Sequence, residues 1–145
     1  MVDKIVSLSK TIGEDIKELK AQYSIQVIWA EENGVISANQ TEYSYGNGST
    51  GNIGIPCFAN GVKAIGMLMQ SETIGTSATV ALIVNAIQVG GEYEIVSTEK
   101  DSVHYFTTPL DIELGKRIGF RTTTVTGAWT DVRVGVILAI PLINI

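Results

Sequence analysis

Apolar positions recur along this chain with two different periods, and the change falls near residue 22. Between residues 2 and 23 they are Ile5, Leu8, Ile12, Ile16, Leu19 and Tyr23, spaced 3, 4, 4, 3 and 4 apart. That spacing averages 3.6 and predicts one amphipathic helix, with Lys4, Lys10, Glu14, Lys17, Glu18 and Lys20 between the stripe positions. Lys10 and Glu14 form an i,i+4 pair in the weaker orientation. Gly13 costs about 1 kcal/mol in a helix interior. Thr11-x-x-Glu14 resembles a capping box, so the helix has a place to break and restart. A lone helix of this length is marginal in water. Its stripe therefore needs cover from the rest of the chain, from copies of itself or from a docking protein. The straight-helix period disfavours a long supercoil.

After Tyr23 the pattern becomes strand-like, rich in Val, Ile, Thr and aromatics with turn residues between runs. Strands are predicted near Ile25–Ala30, Thr41–Tyr45, Ile53–Phe58, Val62–Gln70, Ala78–Ala86, Tyr93–Ser97, Val103–Thr107, Arg117–Thr123 and Val132–Ile140. Asn33-Gly34, Asn47-Gly48 and Asn60-Gly61 each read as a hairpin turn, because both residues tolerate positive φ. Gly75-Thr76-Ser77, Gly90-Gly91 and Thr126-Gly127-Ala128 punctuate the remainder. With no helix among these strands, the expected fold is mainly β: an antiparallel, jelly-roll-like β-sandwich over residues 23–145, preceded by one helix over 1–22.

In the last strand Val132, Val134, Val136, Leu138 and Ile140 share one face, and Arg133, Gly135, Ile137 and Ala139 share the other. The tail, Pro141-Leu142-Ile143-Asn144-Ile145, stays apolar to its end. Left bare, such a tail would fray or expose these residues. Val136, Leu138, Ile140, Leu142 and Ile143 are therefore expected at a subunit interface or symmetry axis. The competing reading packs them on the domain's own core.

Of the residues, 45% are hydrophobic and only 17% charged, against the usual roughly 25% charged, which suggests partial cover by other subunits, with a plain β domain, poor in charge in its strands, as the competing reading. The net charge of −5, with ten basic residues that do not cluster beyond Lys116-Arg117, argues against a phosphate-backbone binder of nucleic acid. The longest apolar run, Val134 to Ile143, is too short for a membrane helix and contains Pro141. Met1-Val2-Asp3-Lys4 leads into an amphipathic segment, so no signal peptide is expected. Cys57 is the single cysteine and reads as a buried, inert thiol in a protein made in a reducing cytoplasm.

Candidate chemistry is sparse. Gly46, Gly48 and Gly51 spell G-x-G-x-x-G, with Glu72 about 20 residues further on, as in a dinucleotide site. That site needs a helix directly after the glycines. Here Asn52-Ile53-Gly54-Ile55-Pro56 follows, a strand pattern closed by proline, so the stretch reads as a hairpin. Gly54 inside the returning strand marks a bulge or the close approach of another backbone, such as that of a neighbouring subunit. His104 is the only histidine, which excludes multi-histidine metal sites. Its neighbours Ser102 and Asp101 lack the usual triad arrangement. Glu31-Glu32, Glu92 with Glu94, and Asp111 with Glu113 supply carboxylate pairs of the kind glycosidases use, but read more simply as solvated edges. Trp129, in the polar turn Thr126–Asp131, is the candidate glycan contact, with a core cap as the competing reading. No cofactor, metal or catalytic group is expected.

Three stretches carry a family likeness. Lys4–Leu8 with Thr11–Lys20 resembles the short N-terminal helix of bacteriophage fibre proteins. Trp29–Asn33 followed by Tyr43–Pro56 resembles the opening of the β head domain of phage tail fibres and head fibres. Thr108–Thr122 resembles the later strand, glycine turn and strand of that domain. The resemblance implies a homotrimeric, non-enzymatic virion protein with a head outside the particle, held by its N-terminal helix to other virion proteins of capsid or tail. Long fibres place a shaft between helix and head. Here strands follow at once, and 22 helical residues span only about 33 Å. The expectation is thus a short head fibre or capsid decoration protein at the virion surface. The alternative is a receptor- or carbohydrate-binding tip of a tail fibre, meeting a glycan of the host surface.

Overall fold

The computed structural model describes residues 23–36, 38, 44–45 and 54–142. The expected helix over 1–22, the Asn47-Gly48 turn and Ile143 lie outside the described residues. The described chain is mainly β, with strands β1 (Tyr23–Val35), β2 (Ser44–Tyr45), β3 (Ile55–Pro56), β4 (Val62–Thr73), β5 (Ser77–Val84), β6 (Ile87–Gln88), β7 (Glu94–Ser97), β8 (Asp101–Ile112), β9 (Arg117–Thr126) and β10 (Thr130–Pro141). Each of the nine expected strands overlaps one of these. Tyr23, assigned from periodicity to the helical stripe, instead opens β1 and pairs with Pro141.

All pairings are antiparallel and form two sheets. The first has the order β2-β1-β10-β4-β8; the second has β3-β9-β5-β6, with β7 also on β5. The two share one hydrophobic core in a sandwich-like arrangement: Met67, Met69, Val132, Val134 and Val136 come from the first sheet, and Val80, Leu82, Ile95, Ile118 and Phe120 from the second. Strand alternation places these residues: along β10 the even positions 132 to 138 face this core.

That placement corrects the interface expected on β10. Val136 and Leu138 are buried in the chain's own core, and Ile140 packs partly against it. The second sheet, rather than a neighbouring subunit, covers them. Leu142 is half exposed.

Turn chemistry differs from expectation in two places. Asn33-Gly34 makes no hairpin; it lies in β1 at a register shift between Glu32 and Val35. Gly34 has φ of 86°, and its N–H donates to Asp131 Oδ1 at 2.9 Å. This is a bulge, which positive-φ glycines also serve. Conversely, Ala78–Ala86 is not one strand. Asn85 and Ala86 take φ of 52° and 64° and turn the chain into β6. Asn85 N–H donates to the Arg117 carbonyl at 2.8 Å, and its Oδ1 accepts from Arg117 N–H at 2.8 Å. Tertiary hydrogen bonds thus hold a turn whose second residue, alanine, gives no sequence signal for one.

Candidate functional site

The residues proposed for chemistry do not converge. Ser102 Oγ lies 2.7 Å from Ser97 Oγ, and Ser97 Oγ also donates to the Glu99 carbonyl at 2.8 Å. His104 stands edge-on to Phe106, with ring centroids 5.9 Å apart. Asp101 alternates to the opposite face of β8 from Ser102 and His104. A Ser–His–Asp relay cannot be drawn through them. Cys57 is buried, as expected, with Sγ 3.3 Å from the Ala59 carbonyl oxygen. Among the described residues no three His, Cys, Asp or Glu side chains form a group able to hold a metal ion.

Trp129 is corrected from glycan contact to core residue. It exposes 0% of its surface, and its Nε1–H donates to the Thr126 carbonyl at 3.2 Å. Its own carbonyl accepts from Ile36 N–H at 3.0 Å, tying the β9–β10 turn to the end of β1. An indole buried with its one donor satisfied offers no face for a sugar ring.

Around that end of the sandwich, acids gather. A cleft of about 450 Å³ is lined by Glu31, Glu32, Glu72 and Asp131, together with Arg133. Asp131 holds the Gly34 amide, and Arg133 reaches Glu31 Oε2 at 3.5 Å while its guanidinium stands 5.9 Å from the Trp29 ring centre. Two of the four carboxylates thus have structural partners. Both members of the Arg133–Glu31 pair are half exposed, where such pairs contribute little. The Asp111 carboxylate, offered as half of a catalytic pair with Glu113, instead meets Lys63 Nζ at 2.7 Å.

What the sequence reading passed over is the outer face of the first sheet. Cross-strand register places Val27, Ile137, Gly66 and Tyr105 in one row and Trp29, Gly135, Leu68 and Val103 in the next. The first row has Val27 36% and Tyr105 66% exposed; the second ends on Val103 at 55%. Ile25, 58% exposed, extends the surface toward the start of β1. The signal was present in Ile25, Val27 and Trp29, which alternate with Gln26, Ile28 and Ala30. Both sets are largely apolar, so the pattern alone does not say which one faces the core.

No protein-family profile matches the sequence, and no curated protein matches it significantly.

Proposed function

We propose that this chain is a structural virion protein of a bacteriophage: a short homotrimeric head fibre or capsid decoration protein, attached through residues 1–22. The observation that carries the reading is strand order. The chain crosses from sheet to sheet at β2–β3, β3–β4, β4–β5, β7–β8, β8–β9 and β9–β10, while β1–β2 and β5–β6–β7 each stay within one sheet. This is a jelly-roll type of winding, an architecture used by viral capsid and lectin domains. Such a fold hosts many functions, so the assignment to a virion leans on the fibre-like stretches of the sequence. In this reading the β domain is the exposed head, residues 1–22 bind other virion proteins, and no cofactor takes part. The receptor- or carbohydrate-binding alternative loses its one aromatic candidate with the burial of Trp129.

The test is incorporation. Purified particles examined by cryo-electron microscopy are expected to show this chain as a short three-fold protrusion. A chain lacking residues 1–22 is expected to stay folded by circular dichroism but to be missing from particles. Particles that carry the truncated chain at full occupancy would overturn attachment through that segment.

A further inference from the structure

We propose that an apolar pocket beside the end of β10 is the seat of this chain's own tail, Ile143-Asn144-Ile145. The seating is a property of the β domain alone and holds whether or not that domain belongs to a virion.

The pocket has a volume of about 130 Å³. It is walled by Ile28, Val62, Leu138 and Ile140 of the first sheet and by Cys57 and Phe58 just after β3. An engineered cavity of about 150 Å³ with comparable walls stays dry and takes a molecule the size of benzene. The fitting occupant is therefore one apolar side chain rather than a polar ligand. Phe58 marks the open side: it lines the pocket and yet is 82% exposed, so most of its ring has no cover.

The path of the chain selects the occupant. Leu138 and Ile140 stand in the wall, β10 ends at Pro141, and Leu142 is 50% exposed. Pro141 lies against the loop that leads from Phe58 into β4: a Cβ on Gly61 would stand 3.1 Å from Pro141 Cγ. The chain thus leaves the sheet beside the pocket. Beyond the ladder, no strand alternation fixes which way the following side chains point. Ile140 is only two residues back from Leu142, about 7 Å along a strand. The three residues after Leu142 reach about 10 Å when extended. Two of them are isoleucines, and an extended backbone puts Ile143 and Ile145 on one side with Asn144 on the other. One isoleucine enters the pocket while the other lies against the Phe58 ring.

The N-terminal segment is the rival, because Tyr23 pairs with Pro141 and that segment enters at the same end. Its way to the pocket is polar. On the core-facing side of β1 the residues before Ile28 are Gln26 and Ser24, and Gln26 Nε2 donates to Ser24 Oγ at 3.2 Å. Tyr23 belongs to the opposite set, with Ile25 and Val27. An apolar stripe ending on Tyr23 leads to the outer face instead.

Cys57 gives a direct test, being in the pocket wall and the only cysteine. Its alkylation by N-ethylmaleimide is compared in the wild type, in a chain lacking residues 143–145 and in the full-length Ile143→Asn/Ile145→Asn variant. All three should keep the same circular dichroism, because the β10 ladder stops at Pro141. Both altered chains should react at least about tenfold faster, as for a locally opened site. Added benzene should shift the Val62 and Leu138 methyl resonances in the altered chains only. In the wild type, NOEs should join the Ile143 or Ile145 methyls to those of Val62 within one chain, as read from mixed labelled and unlabelled protein. If an altered chain loses its circular dichroism, these wild-type NOEs decide alone. Equal alkylation rates in three folded chains, or no such NOE, would overturn the seating. NOEs only between chains would overturn it in favour of a second copy's tail. Faster alkylation on deletion of residues 1–22 but not of 143–145 would overturn it in favour of the N-terminal segment.

Discussion

Trp129 shows how burial assigns a role that residue type leaves open. In sequence it sits among Thr126, Gly127, Thr130 and Asp131, a setting that suits sugar stacking. In the fold its ring closes the core and its one donor is engaged. Trp129→Ala should therefore cost about 3–5 kcal/mol of stability, the range for emptying a large aromatic site. Urea unfolding checks this, and glycan binding should not enter into it. Lys63 makes the opposite case, a group at the surface. Its pKa is raised above 10.5 by the hydrogen bond to Asp111 and then by that carboxylate's charge. A raised folded-state pKa means the pair's contribution is fully present below the ordinary lysine value and fades as pH rises through the folded value. NMR titration of the Lys63 ammonium should thus give a midpoint above 10.5 that falls back in Asp111→Asn. An unchanged midpoint in that variant would show the pair is not formed in solution.

Elements acquire their detail from neighbouring strands. Gly54 was expected to mark a bulge or another backbone close by, and the backbone is that of β9 in the same chain. Gly54 has φ of 58°, and a Cβ there would collide with the Ile118 carbonyl oxygen. Next to it, Ile55 pairs with Ile118, so this approach is what brings β3 onto the second sheet. Gly54→Ala should cost at least about 2 kcal/mol, from left-handed backbone strain plus the displaced β9 carbonyl. The midpoint of urea unfolding reads it; a shift within error would show that β3 is not held this closely. β8 carries another feature of this kind. Ala64 pairs with Leu110 but Gly66 with Tyr105, so β8 bulges across Phe106–Pro109. Pro109 has no N–H for a ladder, and a bulge on an edge strand is where it is tolerated. The strand expected over Val103–Thr107 stops short of this proline. The neighbouring β4 carries the pairing past it, to Ile112.

For the whole molecule the decisive pairing is between β1 and β10, the first and last described strands, in register from Tyr23↔Pro141 to Glu32↔Val132. Nearly the entire chain must be enclosed before that ladder closes. Sheets built on such distant pairings fold in about milliseconds to seconds. Stopped-flow refolding followed by Trp129 and Trp29 fluorescence should fall in that range, and microsecond refolding would contradict the closure of the sheet by β1 and β10.

Local pattern alone determined the all-β class and the positions of nine strands. These depend on the period-2 alternation and on turn residues, which act over a few neighbours. The alternation also divides each strand into two faces. Where both faces are apolar, as in Ile25–Ala30 and Val134–Ala139, the sequence does not say which one is inside. That was decided by cross-strand register. A single choice for β10 sends Val136 and Leu138 into the core and leaves Ile137 and Gly135 on the outer face beside Val27 and Trp29. The residues expected at an interface on this strand thus lie in the core instead, because side chains on a strand alternate and burial is settled only by the sheet packed against it.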